Sequence, residues 1–252
     1  MADLHEIMEY MNQYLNIDQF DDFAPNGLQV EGAKDIYKIL FAVSASHELF
    51  QMAKNENADA IVVHHGMFWD NEPKVVTGIL KERLKLLLDN NISLFGYHLP
   101  LDAHNVVGNN IQIGKLFDFD LVKPFRKYQN NHLGIIGLFN QEKSVENITQ
   151  IISNEINRNF QIYQFGNPSI KSIGIISGAA PDAVREIAME NIDLYLTGES
   201  TEWVYHFAKE SKIHYVAAGH YATERFGVKA LAKIVESQFQ VETQFVDIDN
   251  PI

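Results

Sequence analysis

Apolar positions in this chain recur with two alternating periods, and each change of period marks a predicted element. Leu4, Ile7, Met8, Met11 and Leu15 lie three or four residues apart and predict one face of an N-terminal helix. Residues 39–44 form a continuous apolar run that predicts a buried strand, after which Ser46 caps a helix carrying Leu49, Phe50 and Ala53 to about Asn57. Ile61, Val62 and Val63 predict the next strand, which stops abruptly at His64-His65-Gly66. A helix with Ile79, Leu80, Arg83, Leu84, Leu87 and Leu88 follows, then a strand over residues 92–97 that ends at His98. Strands alternating with helices predict βαβ units and a parallel sheet.

Two stretches break this rhythm. Pro25-Asn26-Gly27 is a turn signal, and the surrounding loop, residues 21–32, reads as a connector. His98-Leu99-Pro100-Leu101-Asp102 reads as a loop at a strand end, because the residue before a proline is pushed out of the α region. Gly108-Asn109-Asn110 precedes a helix through Leu116 and Phe117.

Beyond Asp120 the pattern restarts, with strands over 134–139 and 160–165 and a helix from Ser144 to about Asn157. A boundary near residue 125 gives halves 1–125 and 126–252, with a C-terminal helix through Leu231 and Ile234 and a strand over 241–246 packing back on the first half. The second half echoes the first. The strand 173–177 corresponds to the one ending at Ser44, and Pro181-Asp182 opens the next helix. Asp193 and Trp203 are ten residues apart, as are Asp59 and Trp69, so Glu199 falls on the place of His65. The strand 213–218 reaches Gly219-His220, where His220 and Glu224 are four apart like His98 and Asp102. These matches read as an internal duplication, with chance similarity as the alternative.

Composition narrows the chemistry. The 252 residues, 46% hydrophobic and 21% charged, suffice for one large α/β domain or two packed halves. A net charge of −13 without any basic run argues against nucleic acid and anionic membranes as partners, and against polyphosphates unless a bound cation compensates. The absence of cysteine removes disulfides, thiolate metal sites and cysteine nucleophiles, so that a metal would sit on N and O ligands. With no signal-like N-terminus and no bilayer-length apolar run, the expectation is a cytoplasmic protein.

Three strand ends therefore carry chemistry: His64 with His65, His98 with Asp102, and His220 with Glu224. In open α/β sheets such ends form the ligand crevice. Four imidazoles and two carboxylates suffice for two divalent ions, which together can acidify water and polarise an electrophile. Adjacent side chains on an extended chain diverge, so His64 and His65 are expected to serve different ions. The set suits Zn, Fe, Mn, Co or Ni alike. Glu199 reads as a residue orienting a ligand, a general base, or an ordinary turn acid. Arg225 reads as a phosphate contact or an exposed helix arginine, and His104 as a support for Asp102 or a surface residue. His5, His47, His132, His206 and His214 carry no ligand signal, and Trp69 and Trp203 read as core.

Taken together, His64-His65-Gly66 with Phe68-Trp69, the loop from Tyr97 to Asp102 with Gly108-Asn109, residues 25–30, Thr197-Gly198-Glu199, and Gly219-His220 with Thr223-Glu224 resemble the Nif-three-like family. That family is also known as GTP cyclohydrolase I type 2 or dinuclear metal centre proteins. The likeness covers almost the whole chain. It implies a three-layer α/β fold of two intertwined, pseudo-symmetric halves, assembled as a toroidal homohexamer. It also implies two divalent metal ions per subunit on His64, His65, His98, Asp102, His220 and Glu224. Some relatives insert a domain between the halves, for which this chain is too short. The implied activity is metal-dependent hydrolysis, with a nucleotide substrate: GTP converted to dihydroneopterin triphosphate and formate. The alternatives are a metal-dependent phosphoesterase, or a non-enzymatic metal-binding ring serving regulation or a partner protein.

Overall fold

The apolar run before His64 forms strand Ala60–His65 in the middle of a five-stranded sheet. The order of that sheet is Glu242–Phe245, Lys38–Ser44, Ala60–His65, Ser93–Gly96 and Gly27–Val30. The first four strands run parallel and the last is antiparallel. A parallel strand buried on both faces must be apolar at every position rather than at alternate ones. Accordingly Leu40, Ala42, Ile61, Val63 and Leu94 pack into one cluster with Leu49, Phe50 and Leu87, while Phe41, Val43, Val62 and Phe95 are buried on the opposite face.

The computed structural model describes residues 1–252 and resolves them into two units. Unit 1 comprises Met1–Val107 with Gly227–Asp249, and unit 2 comprises Gly108–Phe226 with Asn250–Ile252. Residue 125, where the sequence pattern places a boundary, lies inside strand Leu121–Tyr128 of unit 2.

Helix ends in unit 1 follow local chemistry. The Asp3 carboxylate accepts from the amides of His5 and Glu6 at 2.8 and 3.3 Å and opens helix Leu4–Leu15, which Asn16 closes in the left-handed conformation, φ 53°. The hydroxyl of Ser46 accepts from Leu49 N at 3.1 Å and opens helix His47–Asn55.

Unit 2 holds a six-stranded sheet in the order Leu121–Tyr128, Asn131–Ser144, Ser169–Ile175, Leu194–Thr197, His214–Ala217 and Gln161–Tyr163. Its core lies on both faces, with Ile173, Ile175, Leu194 and Val216 on one side and Tyr195, Tyr215, Val184 and Ile187 on the other.

The duplication is visible in topology. Each unit contains three parallel strands closed on one edge by an antiparallel strand. The matched aspartates occupy the same place in both. Asp59 accepts from the amides of Tyr37 and Lys38 at 2.7 and 3.0 Å, and Asp193 accepts from those of Lys171 and Ser172 at 2.8 and 2.9 Å. Asp59 thereby fixes the start of strand Lys38–Ser44 and Asp193 the register shift within strand Ser169–Ile175, each using charge-assisted bonds of about 1.5–3 kcal/mol.

Two sequence expectations are corrected, and one strand has no counterpart among them. Residues 27–30, read as connector, are an edge strand. Leu121–Tyr128 carries no strand signal in the sequence, because it is a largely exposed edge strand that contains Pro124. Leu99–Ala103 is a short helix capped by His98, since Pro100 sits in its first turn, where the missing N–H has no intrahelical partner to lose. No helix is long and apolar enough to cross a membrane.

Candidate metal-ligand clusters

In unit 1, strand Ala60–His65 and the adjoining strand Ser93–Gly96 deliver three imidazoles to one sheet end. One donor atom each from His64, His65 and His98 lies within 4.8 Å of the others. The expected divergence of His64 from His65 is not what the structure shows, as their ring centroids are 4.6 Å apart. Both rings lie at the strand tip and are held from neighbouring elements. His64, fully buried, directs Nδ1 at the Tyr97 carbonyl at 2.9 Å, and Nδ1 of His65 meets the Ser44 hydroxyl at 3.1 Å.

A carbonyl can only accept, so Nδ1 of His64 carries a hydrogen, and Nε2 is the nitrogen through which the ring could bind a metal. That Nε2 stands 3.4 Å from Oδ2 of Asp102, in the helix that His98 caps. Nδ1 of His98 is likewise fixed by an acceptor, the Asp22 carboxylate at 2.7 Å.

The loop that reads as a connector supplies this anchor. Asp22 also accepts from Leu99 N at 2.9 Å and from the Asn26 amide at 2.9 Å, while Asn26 Oδ1 accepts from His98 N at 2.8 Å. Burial alone would push the Asp22 carboxyl up, but His98, Asn26 and Leu99 outweigh it and hold the group below its ordinary value. The sequence assigns no role to Asp22 or Asn26, and of the two only Asn26 carries a signal, as part of the Pro-Asn-Gly turn in the family-like segment 25–30. If Asp22 orients His98 as a ligand, Asp22→Asn is expected to lower affinity for Zn²⁺ about 10- to 100-fold, the usual cost of losing a partner that orients a metal-bound histidine. Competition with a chromogenic chelator measures this, and unchanged affinity would refute the assigned role.

Trp69 is corrected from core to site wall. It is half-buried, with its ring 5.2 Å from His98 in edge-on contact and 5.9 Å from His65. It thereby gives the imidazoles an apolar neighbour that limits their exposure to water. Trp203 is half-buried too and lies under the Arg185 guanidinium, 4.4 Å from its ring centre.

In unit 2, helix His220–Phe239 begins at His220, so that His220 and Glu224 share one face one turn apart. Nε2 of His220 is 3.1 Å from Oε2 of Glu224, which is buried, and Nδ1 is 2.5 Å from Oε1 of Glu199. Of the three readings of Glu199, the geometry matches the one in which it orients a ligand. Burial opposes the His220 imidazolium, but Glu224 and Glu199 prevail and raise its pKa to about 9.

Glycines leave room for this arrangement. A Cβ on Gly178, whose φ is +65°, would lie 2.2 Å from Oε1 of Glu224 and 3.2 Å from Nε2 of His220. One on Gly198, the counterpart of His64 in the duplication, would lie 2.6 Å from the Gly178 carbonyl and 2.7 Å from Cα of His220. Thr223, fully buried, accepts from Gly178 N at 3.0 Å and so ties that glycine to the start of the helix.

The other polar readings resolve more simply. His104 bonds the Tyr14 carbonyl through Nε2 and accepts from the amides of Val106 and Val107, a structural role in the loop after its helix. Arg225 donates to the Ile156 carbonyl at 2.7 Å and is half-buried, not an exposed helix residue. His214 is buried and bonds the Asn167 carbonyl.

The donor set fits divalent transition ions. Each of the four imidazoles has Nδ1 engaged by protein, on Tyr97, Ser44, Asp22 or Glu199, which makes Nε2 the nitrogen it can offer. Carboxylates of Asp102 and Glu224 stand beside two of those nitrogens. Oriented imidazoles with adjacent carboxylates and no thiolate suit Zn, Fe, Mn, Co or Ni.

Comparison with known proteins identifies the family. The family described as Duf34/NIF3 (NGG1p interacting factor 3) matches residues 2–251. A protein of Pyrococcus horikoshii named GTP cyclohydrolase 1 type 2 homolog is 41% identical over 250 residues, 99% of this chain and 98% of that one. One of the same name from Haemophilus influenzae is 39% identical over 247 residues, 98% of each. Among solved structures, protein ybgI, described as of unknown function, superposes with a TM-score of 0.94 at 34% identity over 100% of both chains. TTHA1606 from Thermus thermophilus does so with a TM-score of 0.89 at 31% identity, again over 100% of both. The chain belongs to the Duf34/NIF3 family.

Proposed function

We propose that the protein is a metal-dependent hydrolase that binds two divalent ions, with His64, His65, His98, Asp102, His220 and Glu224 as their ligands. The observation that carries this reading is the fixation of all four imidazoles through Nδ1, which presents Nε2 as a donor in each. Purely structural histidines need no such common orientation. When bound, the ions would acidify water and polarise an electrophilic carbon or phosphorus.

The chain's own residues bind and orient. Asp22 and Glu199 hold the rings of His98 and His220, and Asp102 and Glu224 place negative charge beside Nε2 of His64 and His220. Trp69 restricts water at His65 and His98. The name shared by the relatives makes GTP the first substrate to examine, with other nucleotides and phosphoesters beside it.

Protein reconstituted with Zn²⁺, Mn²⁺, Fe²⁺ or Co²⁺ is expected to release formate from GTP or phosphate from a phosphoester. The His65→Ala protein is expected to lose about 100-fold or more of that rate, consistent with loss of a group that acts directly at the metal. Equal turnover by parent and variant, or none across the panel, would refute the hydrolase and leave a metal-binding protein of regulatory or partner-binding role.

A further inference from the structure

The glycine that follows His64-His65 and the glycine that precedes Tyr97 share one neighbour. A Cβ on Gly66 would lie 2.2 Å from Nε2 and 2.3 Å from Oε1 of Gln29, and one on Gly96 would lie 2.5 Å from the same Nε2. Neither glycine has a positive φ, so neither is required by its backbone conformation. What a Cβ at either position would meet is the carboxamide of Gln29, which would have to leave its place.

Gln29 reaches that space because of an irregularity in the sheet. Strand Gly27–Val30 pairs Leu28 with Phe95 and Val30 with Leu94, and the register shifts between them at Gln29. A residue at such a shift is released from the regular alternation of side chains and can be re-aimed, a device frequent beside functional sites. The side chain makes two hydrogen bonds. Its Oε1 accepts from Met67 N at 2.9 Å, just beyond the His64-His65-Gly66 strand end, and its Nε2 donates to the Pro25 carbonyl at 2.9 Å.

Pro25 immediately precedes Asn26, which with Asp22 fixes both the backbone and the ring of His98. One carboxamide therefore joins the segment ending in His64 and His65 to the loop that orients His98. We infer that Gln29 is a positioning residue, a latch that holds these three imidazoles in a common register for metal binding. The inference rests on the metal reading above.

Two variants separate filling of the space from hydrogen bonding. Gln29→Ala empties it, and Gln29→Met fills it but can neither accept from Met67 N nor donate to Pro25 O. Titration of each metal-free protein with Co²⁺ against a competing chelator is expected to show about 10- to 100-fold weaker binding in both, the range for partners that orient metal-bound histidines. The visible absorption of bound Co²⁺ is expected to change band position, reporting altered ligand geometry that a loss of general stability would not mimic.

The latch also predicts coupling in the metal-free protein. Gly66→Ala should lower the melting temperature of the parent more than that of the Gln29→Ala protein, where the carboxamide no longer occupies the space. Parent-like affinity and spectrum in both Gln29 variants would overturn the inference while leaving the metal reading intact. If the parent itself took up no Co²⁺, the metal reading would fall and the latch's role towards metal with it.

Discussion

The His64→Ala protein is expected to lose at least about 100-fold in affinity for Zn²⁺ or Co²⁺, more than the Asp22→Asn protein, because it removes a donor rather than a group that orients one. His64 is fully buried, its tautomer is set by the Tyr97 carbonyl, and its Nε2 stands 3.4 Å from Asp102. The readout is metal content by elemental analysis after dialysis against a chelator, together with the rise in melting temperature on adding metal. A ligand at 100 times its dissociation constant stabilises a fold by about 2.7 kcal/mol, and a 100-fold weaker site forfeits most of that. Retention of the parent's metal content by His64→Ala would remove His64 from the ligand set.

Gly178→Ala is expected to destabilise the fold by about 2–5 kcal/mol, combining a left-handed backbone penalty of about 1–2 kcal/mol with an overpacking cost of about 1–3 kcal/mol. The added methyl meets Glu224 Oε1 at 2.2 Å, and Glu224 is buried and 3.1 Å from His220. The chain contains its own control. Gly78 has a similar φ of +53° but nothing within 4 Å of where its methyl would stand, so Gly78→Ala should show the backbone penalty alone, about 1–2 kcal/mol. Urea unfolding of both proteins decides the point. Equal costs at the two sites would mean that the Glu224 side chain yields freely and that the glycine serves only the backbone.

Both predictions concern side chains whose positions are visible in the sequence to very different degrees. His64, His65 and His98 stand out because each terminates an apolar run that can only be a buried strand, and a strand end is where such residues converge. The pairing of Asp59 with Asp193 is legible because the duplication repeats a spacing, and the structure gives each of them two consecutive backbone amides in its own unit. Glu199 is ambiguous in the sequence, because position in a repeat says where a residue lies and not what its carboxylate meets. Only its 2.5 Å approach to His220 separates an orienting role from that of a turn acid.

The loop from Asp22 to Gln29 shows where pattern reading stops. Its residues carry no periodic signal, since the edge strand Gly27–Val30 is short and shifts register at Gln29. Trp69 misleads for a related reason, as a tryptophan at a matched repeat position is ordinarily core, yet here its ring borders His98.

What the sequence determined by itself was the central strands with the helices between them, their parallel arrangement and the strand ends bearing imidazoles, all of which follow from periodicity and local backbone preference. Only the tertiary structure decided how those imidazoles are held. Asp22 is 76 residues from His98 in the chain, Asn26 is 72, and Gln29 is 38 from Met67. A hydrogen bond is directional within a few tenths of an ångström, and such a distance between residues so far apart is set by the packed fold rather than by any local pattern.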